Sequence, residues 1–260
     1  MLLVIDVGNT NTVIGIYNGK TLVRDWQIRT VNTITEDEFN IIAVSLFSGS
    51  DITFKEISTI VISCVVPPLV RIFDSFCHKY LGQSPLWVDA KSVNIMPILY
   101  NNSDEVGADR IANSVAAFEK YKTSLIVIDF GTATTFDSVS ANGEYLGGAI
   151  CPGIMISAEA LFLKASRLPR VEIFSHPEKV IGKDTASSIK SGIIYGYAGL
   201  VDGIVRRMKI EMGTAPKVIA TGGLSDLIAD VCDSIEELEP TLTLEGLRII
   251  YEKCYRLSDK

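Results

Sequence analysis

Short apolar runs and β-branched stretches alternate with helical patterns along the first third of the chain. The continuous apolar runs Leu2–Val7 and 57–66 are typical of strands that are buried on both faces. Residues 12–17 are rich in β-branched side chains, and Asn18-Gly19, a favoured two-residue hairpin turn, follows them. Residues 21–28 are therefore predicted to form the returning strand of a hairpin.

Two helices and two further strands are predicted in the same half. Thr35 and Glu38 have the spacing of a capping box, and apolar residues at helical spacing follow from Phe39. Pro67-Pro68 indicates the start of a second helix, which is predicted to run to about Gly82. With a short strand at residues 86–88, the predicted order is β-β-β-α-β-α-β.

The second part of the chain repeats this opening. Leu125–Phe130 is a buried apolar run, residues 134–139 and 145–150 are predicted strands, and Asn142-Gly143 lies between those two strands. The segment from Asp6 to Thr12 aligns with the segment from Asp129 to Thr135 at an offset of 123 positions. The alternative is a chance match between common turn residues. Because four features agree, we interpret the chain as an α/β protein of two like halves, residues 1–106 and 107–260, with a cleft between them.

The rest of the second half is predicted to be rich in helix. Helices are expected at about residues 155–165 and 186–212, and a strand at 217–220 runs into Thr221-Gly222-Gly223 and a further helix. The apolar positions of the 186–212 helix cover more than one face. Either this helix is buried between layers of its own chain, or one face packs on the same helix of a second subunit.

Composition and charge exclude several classes of function. The chain of 260 residues has a formal net charge of −7 and no cluster of Lys and Arg, which argues against nucleic acid as a partner. No apolar stretch is long enough to span a membrane, and the start of the chain lacks the pattern of a signal peptide. Five cysteines without a CxxC pair and two histidines argue against zinc and disulfides and favour the cytoplasm. Glu236, Glu237 and Glu239 are predicted to form a solvated face.

The two D-x-G segments are candidates for phosphate binding. Each places a carboxylate, Asp6 or Asp129, at the end of a buried strand and a glycine two residues later. A carboxylate can hold Mg²⁺, usually through water, while close backbone N–H groups hold phosphate. Two facing loops of this kind would hold the phosphates of ATP, and Gly222-Gly223 would lie along its base and sugar. The alternative is a pair of hairpin turns with solvated aspartates, and a strand-to-helix turn that needs small residues.

A third candidate segment begins a helix. Asp109 lies at the start of the helix that follows residue 107, with Arg110 beside it. Asp109 either complements the helix dipole or accepts a proton from a substrate hydroxyl. Arg110 has the fork geometry that suits a carboxylate or phosphate. Asp184 is predicted as the N-cap of the long helix, with the Thr185 hydroxyl exposed next to it.

These motifs together resemble one family. Gly107-Ala-Asp-Arg-Ile-Ala-Asn113, the two D-x-G segments, Gly182-Lys-Asp-Thr185 and Thr221-Gly-Gly223 are similar to those of the type III pantothenate kinases. That family belongs to the superfamily of actin, Hsp70 and the sugar kinases. The resemblance runs nearly end to end and implies two ribonuclease-H-like halves with a nucleotide cleft between them. It implies a kinase that phosphorylates pantothenate with ATP at the first step of coenzyme A synthesis.

The resemblance also implies roles for individual residues. Asp109 is the expected proton acceptor, and Asp129 is expected to hold a monovalent cation, K⁺ or NH₄⁺. Mg²⁺ is expected at Asp6 through water. The expected ATP contacts are Asp6, Val7, Gly8, Asn9, Thr10, Asn11, Thr12, Val13, Thr132, Gly222 and Gly223. The expected pantothenate contacts are Tyr100, Gly107, Ala108, Asp109, Arg110 and Thr185. A homodimer with its sites near the subunit interface is also implied.

One segment departs from the family, and two other functions stay open. The family tends to Tyr-Asp-Asn-Pro where this chain has Tyr100-Asn101-Asn102-Ser103, so the loop that carries Tyr100 is less rigid. The physics of the residues alone also allows a different small-molecule kinase of this fold, such as a sugar kinase. A non-enzymatic, actin-like module that binds ATP is the other alternative.

Overall fold

A computed structural model describes residues 1–255 and divides the chain into two compact units. Unit 1 comprises Met1–Ala116 together with the chain from Leu242 onwards, and unit 2 is Ala117–Thr241. These units differ from the predicted division at residues 106 and 107 in two places. The helix that begins at Ala108 belongs to unit 1 for most of its length, and the last helix returns to unit 1.

The strands and helices follow one another in nearly the predicted order. In chain order they are β1 Leu2–Val7, β2 Asn11–Asn18, β3 Thr21–Arg29, α1 Glu36–Ser48, β4 Thr59–Cys64, α2 Pro67–Phe76, β5 Leu86–Trp87, α3 Ala108–Tyr121, β6 Leu125–Phe130, β7 Ala133–Val139, β8 Tyr145–Pro152, α4 Ile154–Lys164, α5 Thr185–Met212, β9 Lys217–Thr221, α6 Ser225–Ala229, β10 Glu237–Leu238 and α7 Leu242–Ile250. Short 3-10 turns cover Phe54–Glu56 and Ser103–Glu105, and π-helical turns follow α2 and α7.

Each unit contains one five-stranded mixed sheet, and the two sheets have the same topology. The strand order is β3-β2-β1-β4-β5 in unit 1 and β8-β7-β6-β9-β10 in unit 2. In both sheets the central strand pairs antiparallel with the next strand in the chain and parallel with a later one. The internal repeat predicted from the sequence is therefore also present in the fold, as two sheets with the same strand order. Two equivalent loops, β1–β2 and β6–β7, leave the same end of the two central strands.

The register of the strands corrects the alignment of the repeat by one position. Asp6 lies opposite Val13 on β2, whereas Asp129 lies opposite Thr135 on β7. The β6–β7 connection is therefore one residue shorter than the β1–β2 connection. Val13, and not Thr12, is the structural equivalent of Thr135.

The first hairpin turn also differs from the prediction. Asn18 still pairs with Thr21, so the two turn residues are Gly19 and Lys20. Gly19 has φ +59°, which is the positive value that the first central residue of a tight hairpin turn requires. In unit 2 the predicted Asn142-Gly143 turn lies within a longer connection, from Val139 to Tyr145.

Aromatic and branched side chains fill the core of unit 1 on one face of its sheet. Phe39 of α1 packs on Phe73 and Phe76 of α2, with ring centroids 4.6 and 4.7 Å apart. The alternate residues Leu3, Ile5 and Val7 of β1 belong to the same cluster, so this face of β1 is covered by α1 and α2. The Thr35–Glu38 capping box is present and begins α1 as predicted.

Helix α7 covers the other face of the same sheet. It packs on β1, β2 and β4, and Leu244 contacts the strand position of Gly15. Gly246 allows α7 to approach α3 closely, because a Cβ there would lie 2.1 Å from the Ala112 carbonyl oxygen. The central strand β1 is therefore buried on both faces, as its continuous apolar sequence predicted.

In unit 2, α5 forms much of the core with β6, β7 and β9. Its residues Ile194, Tyr197, Val201 and Val205 are buried in this core, and Ile193, Leu200, Ile204, Met208 and Met212 pack against it. The many apolar positions of this helix are thus explained within its own chain. They give no argument for a second subunit, so that argument has to come from other features.

The acidic residues near the end of unit 2 are partly structural. Glu237 belongs to β10, and Glu239 accepts hydrogen bonds from Lys120 and from the Tyr121 hydroxyl. The prediction of a solvated face is therefore wrong for Glu239. Among residues 1–255, no helix is both long and apolar enough to cross a bilayer.

Candidate active site

Asp6 is fixed at the carboxyl end of β1 by a neighbouring strand. The parallel register of β1 and β4 places it beside Ser63. The Ser63 side chain is fully buried, and its hydroxyl donates a hydrogen bond to Asp6 Oδ1. This bond orients the half-buried carboxylate where the strand ends and the β1–β2 loop begins.

The β1–β2 loop is a tight turn that β3 braces. The Gly8 amide donates to the Asn11 carbonyl oxygen at 3.0 Å, and a Cβ on Gly8 would lie 2.9 Å from that oxygen. Thr30, just after β3, donates from its Oγ1 to the Gly8 carbonyl at 2.8 Å and from its amide to the Thr10 carbonyl at 2.8 Å. The buried Thr12 hydroxyl lies 2.9 Å from Thr30 Oγ1. The loop thus holds its shape through hydrogen bonds, while residues 9–11 stay exposed to a ligand.

Asp109 lies in the first turn of α3, and its carboxylate folds back on the start of the helix. The Arg110 amide donates to Asp109 Oδ1 at 2.8 Å. A Cβ on Gly107 would lie 2.5 Å from the same oxygen, so a larger residue there would displace the carboxylate. Removal from water raises the pKa of the Asp109 carboxyl, and the hydrogen bond and positive charge of Arg110 offset only part of this effect.

Val65 lies between the end of β1 and the start of α3 within unit 1. The Val65 amide donates to the carbonyl of Val7, the last residue of β1, at 3.1 Å. A Cβ built on Gly107, two residues before Asp109, would lie 3.6 Å from Val65 Cγ1. The start of α3, which carries the predicted base, therefore adjoins the strand end from which the predicted phosphate loop leaves.

In unit 2 the strand ends bring Asp129 and the Gly222-Gly223 segment together. Asp129 lies opposite Thr221 on β9. Gly222 follows with φ +93°, and a Cβ there would lie 2.6 Å from Asp129 Oδ1 and 2.7 Å from the Phe130 amide nitrogen. Only glycine satisfies both the backbone angle and this close approach.

The β6–β7 loop is also held by a close backbone contact. The Gly131 amide donates to the Ala133 carbonyl at 3.1 Å, which tightens the turn. Gly153 packs so closely that a Cβ there would lie 2.1 Å from the Thr132 carbonyl oxygen. This packing restricts the backbone position of the exposed residue Thr132.

The carboxylates of Asp6 and Asp129 suit cations whose other ligands come from water and from a bound substrate. No group of three or more His, Cys, Asp or Glu residues within the described part of the chain could hold a metal alone. Mg²⁺ is commonly bound by one or two carboxylates together with water and substrate phosphates, which suits the single carboxylate of Asp6. Asp129 offers carboxylate oxygens next to the backbone of Gly222, which has no side chain, and this suits another hard cation.

Comparison with known proteins decides the family. The family model for type III pantothenate kinase matches residues 2–207. The type III pantothenate kinase of Desulforapulum autotrophicum is 65% identical over 254 residues, which is 97% of each chain. The chain belongs to the type III pantothenate kinase family.

Solved structures with lower identity agree on the fold. The activator of the 2-hydroxyisocaproyl-CoA dehydratase from Clostridium difficile matches 99% of this chain and 97% of its own with a TM-score of 0.55 and 13% identity. The polyphosphate/ATP-glucomannokinase from Arthrobacter matches 97% and 98% with a TM-score of 0.50 and 14% identity. The predicted fold class, that of the actin-like ATPases and sugar kinases, is confirmed.

The remaining predicted pantothenate contacts range from buried to exposed. Tyr100 is 38% exposed in the segment before the Ser103–Glu105 turn. Asn102 is the N-cap of that turn and donates from Nδ2 to Glu105 Oε1 at 3.0 Å. The next residue, Ser103, stands where the family tends to have proline. Arg110 is buried. Thr185 is the exposed first residue of α5, and Asp184 is its N-cap as predicted.

Several residues that shape the site were missed in the sequence. Ser63 was visible only as a polar residue inside a buried apolar strand. The contacts of Thr30 and Gly153 with the two loops depend on strand register and on close packing. Asp137 of β7 is fully buried and was not singled out.

Proposed function

We propose that this protein transfers the γ-phosphoryl group of ATP to the primary hydroxyl of pantothenate, the first step of coenzyme A synthesis. The observation that carries the proposal is that the start of α3, with Asp109, adjoins the end of β1 where the β1–β2 loop begins, in a member of this family. A base next to a phosphate loop is what phosphoryl transfer to an alcohol requires.

Asp109 is suited to accept the proton of the substrate hydroxyl. One carboxylate oxygen, Oδ1, accepts a hydrogen bond from the Arg110 amide. In the proposed complex the other oxygen, Oδ2, faces the substrate hydroxyl. The raised pKa makes Asp109 a stronger base than an ordinary aspartate. In the proposed reaction the substrate O–H bond breaks toward Oδ2 as the oxygen bonds to the γ-phosphorus and the bond to ADP breaks.

Other residues of the chain bind and orient the two substrates. In the proposed complex the backbone of the β1–β2 loop, Thr132 and Gly222-Gly223 contact ATP, and Tyr100, Arg110 and Thr185 contact pantothenate. Asp6 would hold Mg²⁺ through water and Asp129 a monovalent cation. When bound, these cations offset the negative charge of the phosphate oxygens.

The decisive experiment measures ADP formation by the purified chain with and without pantothenate. Release that depends on pantothenate supports the proposal. Release that depends instead on a sugar favours another kinase of this fold, and turnover or polymerisation that needs neither substrate favours an actin-like module. The Asp109→Asn variant serves as the control for contaminating kinases.

The protein is further proposed to work as a homodimer in the cytoplasm. Helix α5 carries Gly192, Gly196 and Gly199 on one exposed face, where an added Cβ would meet nothing within 4 Å. Each glycine costs a helix about 1 kcal/mol relative to alanine, so three of them on one face lower the stability of the helix. A face without side chains lets a second helix approach closely, and the contact would offset this cost. Large apolar side chains of β8 and α4 are also exposed, among them Ile150, Ile156 and Leu163. All five cysteines are free thiols, in keeping with a reducing compartment.

A further inference from the structure

Asp137 of β7 is a fully buried carboxylate with two hydroxyl donors. The Tyr145 hydroxyl donates to its Oδ1 at 2.7 Å, and the Thr135 hydroxyl donates to its Oδ2 at 3.2 Å. Tyr145 is itself fully buried. Burying a carboxylate is costly even when it is hydrogen-bonded, so its presence calls for an explanation.

The fold itself does not require an acid at this position. Asp137 lies opposite Val127, two residues inward from Asp129. The equivalent position in unit 1 lies opposite Val4, two residues inward from Asp6, and is Gly15. Two sheets of the same topology therefore carry glycine and aspartate at one place. The difference points to a task that only unit 2 performs.

Thr135 connects the buried acid to the edge of the sheet. It lies directly opposite Asp129, and directly paired residues of antiparallel strands share a face, with Cβ atoms about 5 Å apart. Thr135 and Asp129 are both half-buried, whereas Asp137, one pleat further in, is fully buried. The three side chains follow one another from the interior to the edge where the β6–β7 loop begins.

The hydrogen bond to Asp137 decides what Thr135 can offer to Asp129. A threonine hydroxyl has one hydrogen and two lone pairs. Its hydrogen points to Asp137 Oδ2, so the oxygen presents only lone pairs to its other neighbours. Without that acceptor, the hydrogen would be free to turn toward the Asp129 carboxylate. With it, the Thr135 oxygen presents lone pairs on the face of the sheet that also carries the Asp129 carboxylate, which is an arrangement that suits a cation.

We propose that Asp137 is a positioning residue that turns the Thr135 hydroxyl into an oxygen ligand for the cation at Asp129. This inference rests on the proposed cation role of Asp129. Asp137 acts through Thr135 and does not touch the cation.

The test compares the potassium response of purified variants in two measurements. The first is the KCl concentration that gives half-maximal ADP formation, with choline chloride keeping the ionic strength constant. The second needs no turnover and is the rise in Tm that KCl causes in the presence of Mg²⁺ and ADP. The variants are Thr135→Val, Thr135→Ser, Asp137→Leu, which removes the acceptor, and the double variant of Thr135→Val with Asp137→Leu.

Two further variants separate positioning from simple stabilisation. Tyr145→Phe removes a hydrogen bond from Asp137 but leaves the bond from Thr135. Ser138→Ala removes a buried hydroxyl of the same strand, which donates to the Gly147 carbonyl at 2.8 Å on the opposite face of the sheet. Both should lower Tm and leave the potassium response unchanged.

Thr135→Val and Asp137→Leu should each raise the half-maximal KCl concentration about 10–100-fold, the usual effect of losing a residue that supports a metal ligand. Thr135→Ser should behave like the wild type, and the double variant should be no worse than Thr135→Val alone. A normal potassium response in Thr135→Val, or equal effects of Asp137→Leu and Tyr145→Phe confined to Tm, would overturn the inference. A wild type that does not respond to potassium would overturn it together with the cation role of Asp129, while ADP formation that depends on pantothenate would still support the kinase.

Discussion

At the scale of single residues, the site depends on how Asp109 is kept partly out of water. The Gly107 backbone and the Arg110 amide enclose one of its oxygens. Loss of hydration makes the ionised form less stable and so raises the pKa. The same environment that costs folding free energy makes the carboxylate a better proton acceptor.

Asp109→Asn should abolish most of the phosphoryl transfer without loss of the fold. The amide has nearly the same shape and can still accept from the Arg110 amide, but it cannot take a proton. A base contributes about 10²–10⁴-fold, so kcat should fall by that factor. Steady-state assays with saturating ATP and pantothenate measure it, with circular dichroism as the check of folding. A variant with nearly normal kcat would leave Asp109 as a charge that merely complements the helix dipole.

The raised pKa of Asp109 also predicts how stability depends on pH. A carboxyl that binds its proton more tightly in the folded state stabilises the fold when protonated. That contribution is complete below the unfolded pKa and is lost as the pH rises through the higher folded pKa. The Tm of Asp109→Asn should therefore gain on that of the wild type as the pH rises over this range. Thermal melts at a series of pH values test this, and a constant difference would contradict it.

The acid limb of the activity profile should come from the same group. kcat/KM should decline on the acid side at a pH above the usual range of an aspartate, because protonated Asp109 cannot act as a base. The residual activity of Asp109→Asn should lack this limb. A limb that persists in the variant would belong to another group.

At the scale of secondary structure, the sequence predicted strands better than the contacts between them. Leu125–Phe130 agrees to the residue, because the large apolar residues of this segment lie between Ser124 and Gly131, which bound the strand. The Asn18-Gly19 turn was misplaced by one residue because strand pairing, which is not local, decides where a hairpin closes. The same holds for the site. Asp6, Asp109 and Asp129 are carboxylates whose motifs point to a role, whereas the contacts of Ser63 and Thr135 depend on strand register.

The close contact between α7 and α3 leads to a prediction about stability. Gly246→Ala would place a Cβ 2.1 Å from the Ala112 carbonyl oxygen, so one helix has to move. Overpacking costs about 1–3 kcal/mol, and Tm should fall accordingly. Gly49→Ala is the matched control, because an added Cβ there makes only an ordinary 3.6 Å contact with the Leu46 carbonyl oxygen. Equal melting temperatures for the two variants would show that the helices separate without cost.

At the scale of the whole molecule, the question is whether one chain makes a complete site. The apolar side of α5 is used within unit 2, and its exposed side is a row of glycines. Two-fold symmetry is the commonest arrangement of identical subunits, and a helix packed on its own copy places both N-terminal ends at related positions. Thr185 is at such an end. In the proposed dimer, Thr185 reaches the pantothenate site of the partner.

Mixing two inactive variants tests this sharing of sites. Asp109→Asn and Thr185→Val are prepared separately and mixed under conditions in which subunits exchange, with differently tagged chains to confirm the exchange. If Thr185 acts in the partner's site, the heterodimer has one site with both lesions and one with neither, so activity should partly return. If each chain completes its own site, every site of the heterodimer carries one lesion and mixing restores nothing. Thr185→Ser, which keeps the hydroxyl, should be active before mixing and shows that the loss in Thr185→Val comes from the missing hydroxyl. Confirmed exchange without recovery would assign Thr185 to the site of its own chain or to no site, and the glycine face of α5 would then need another explanation.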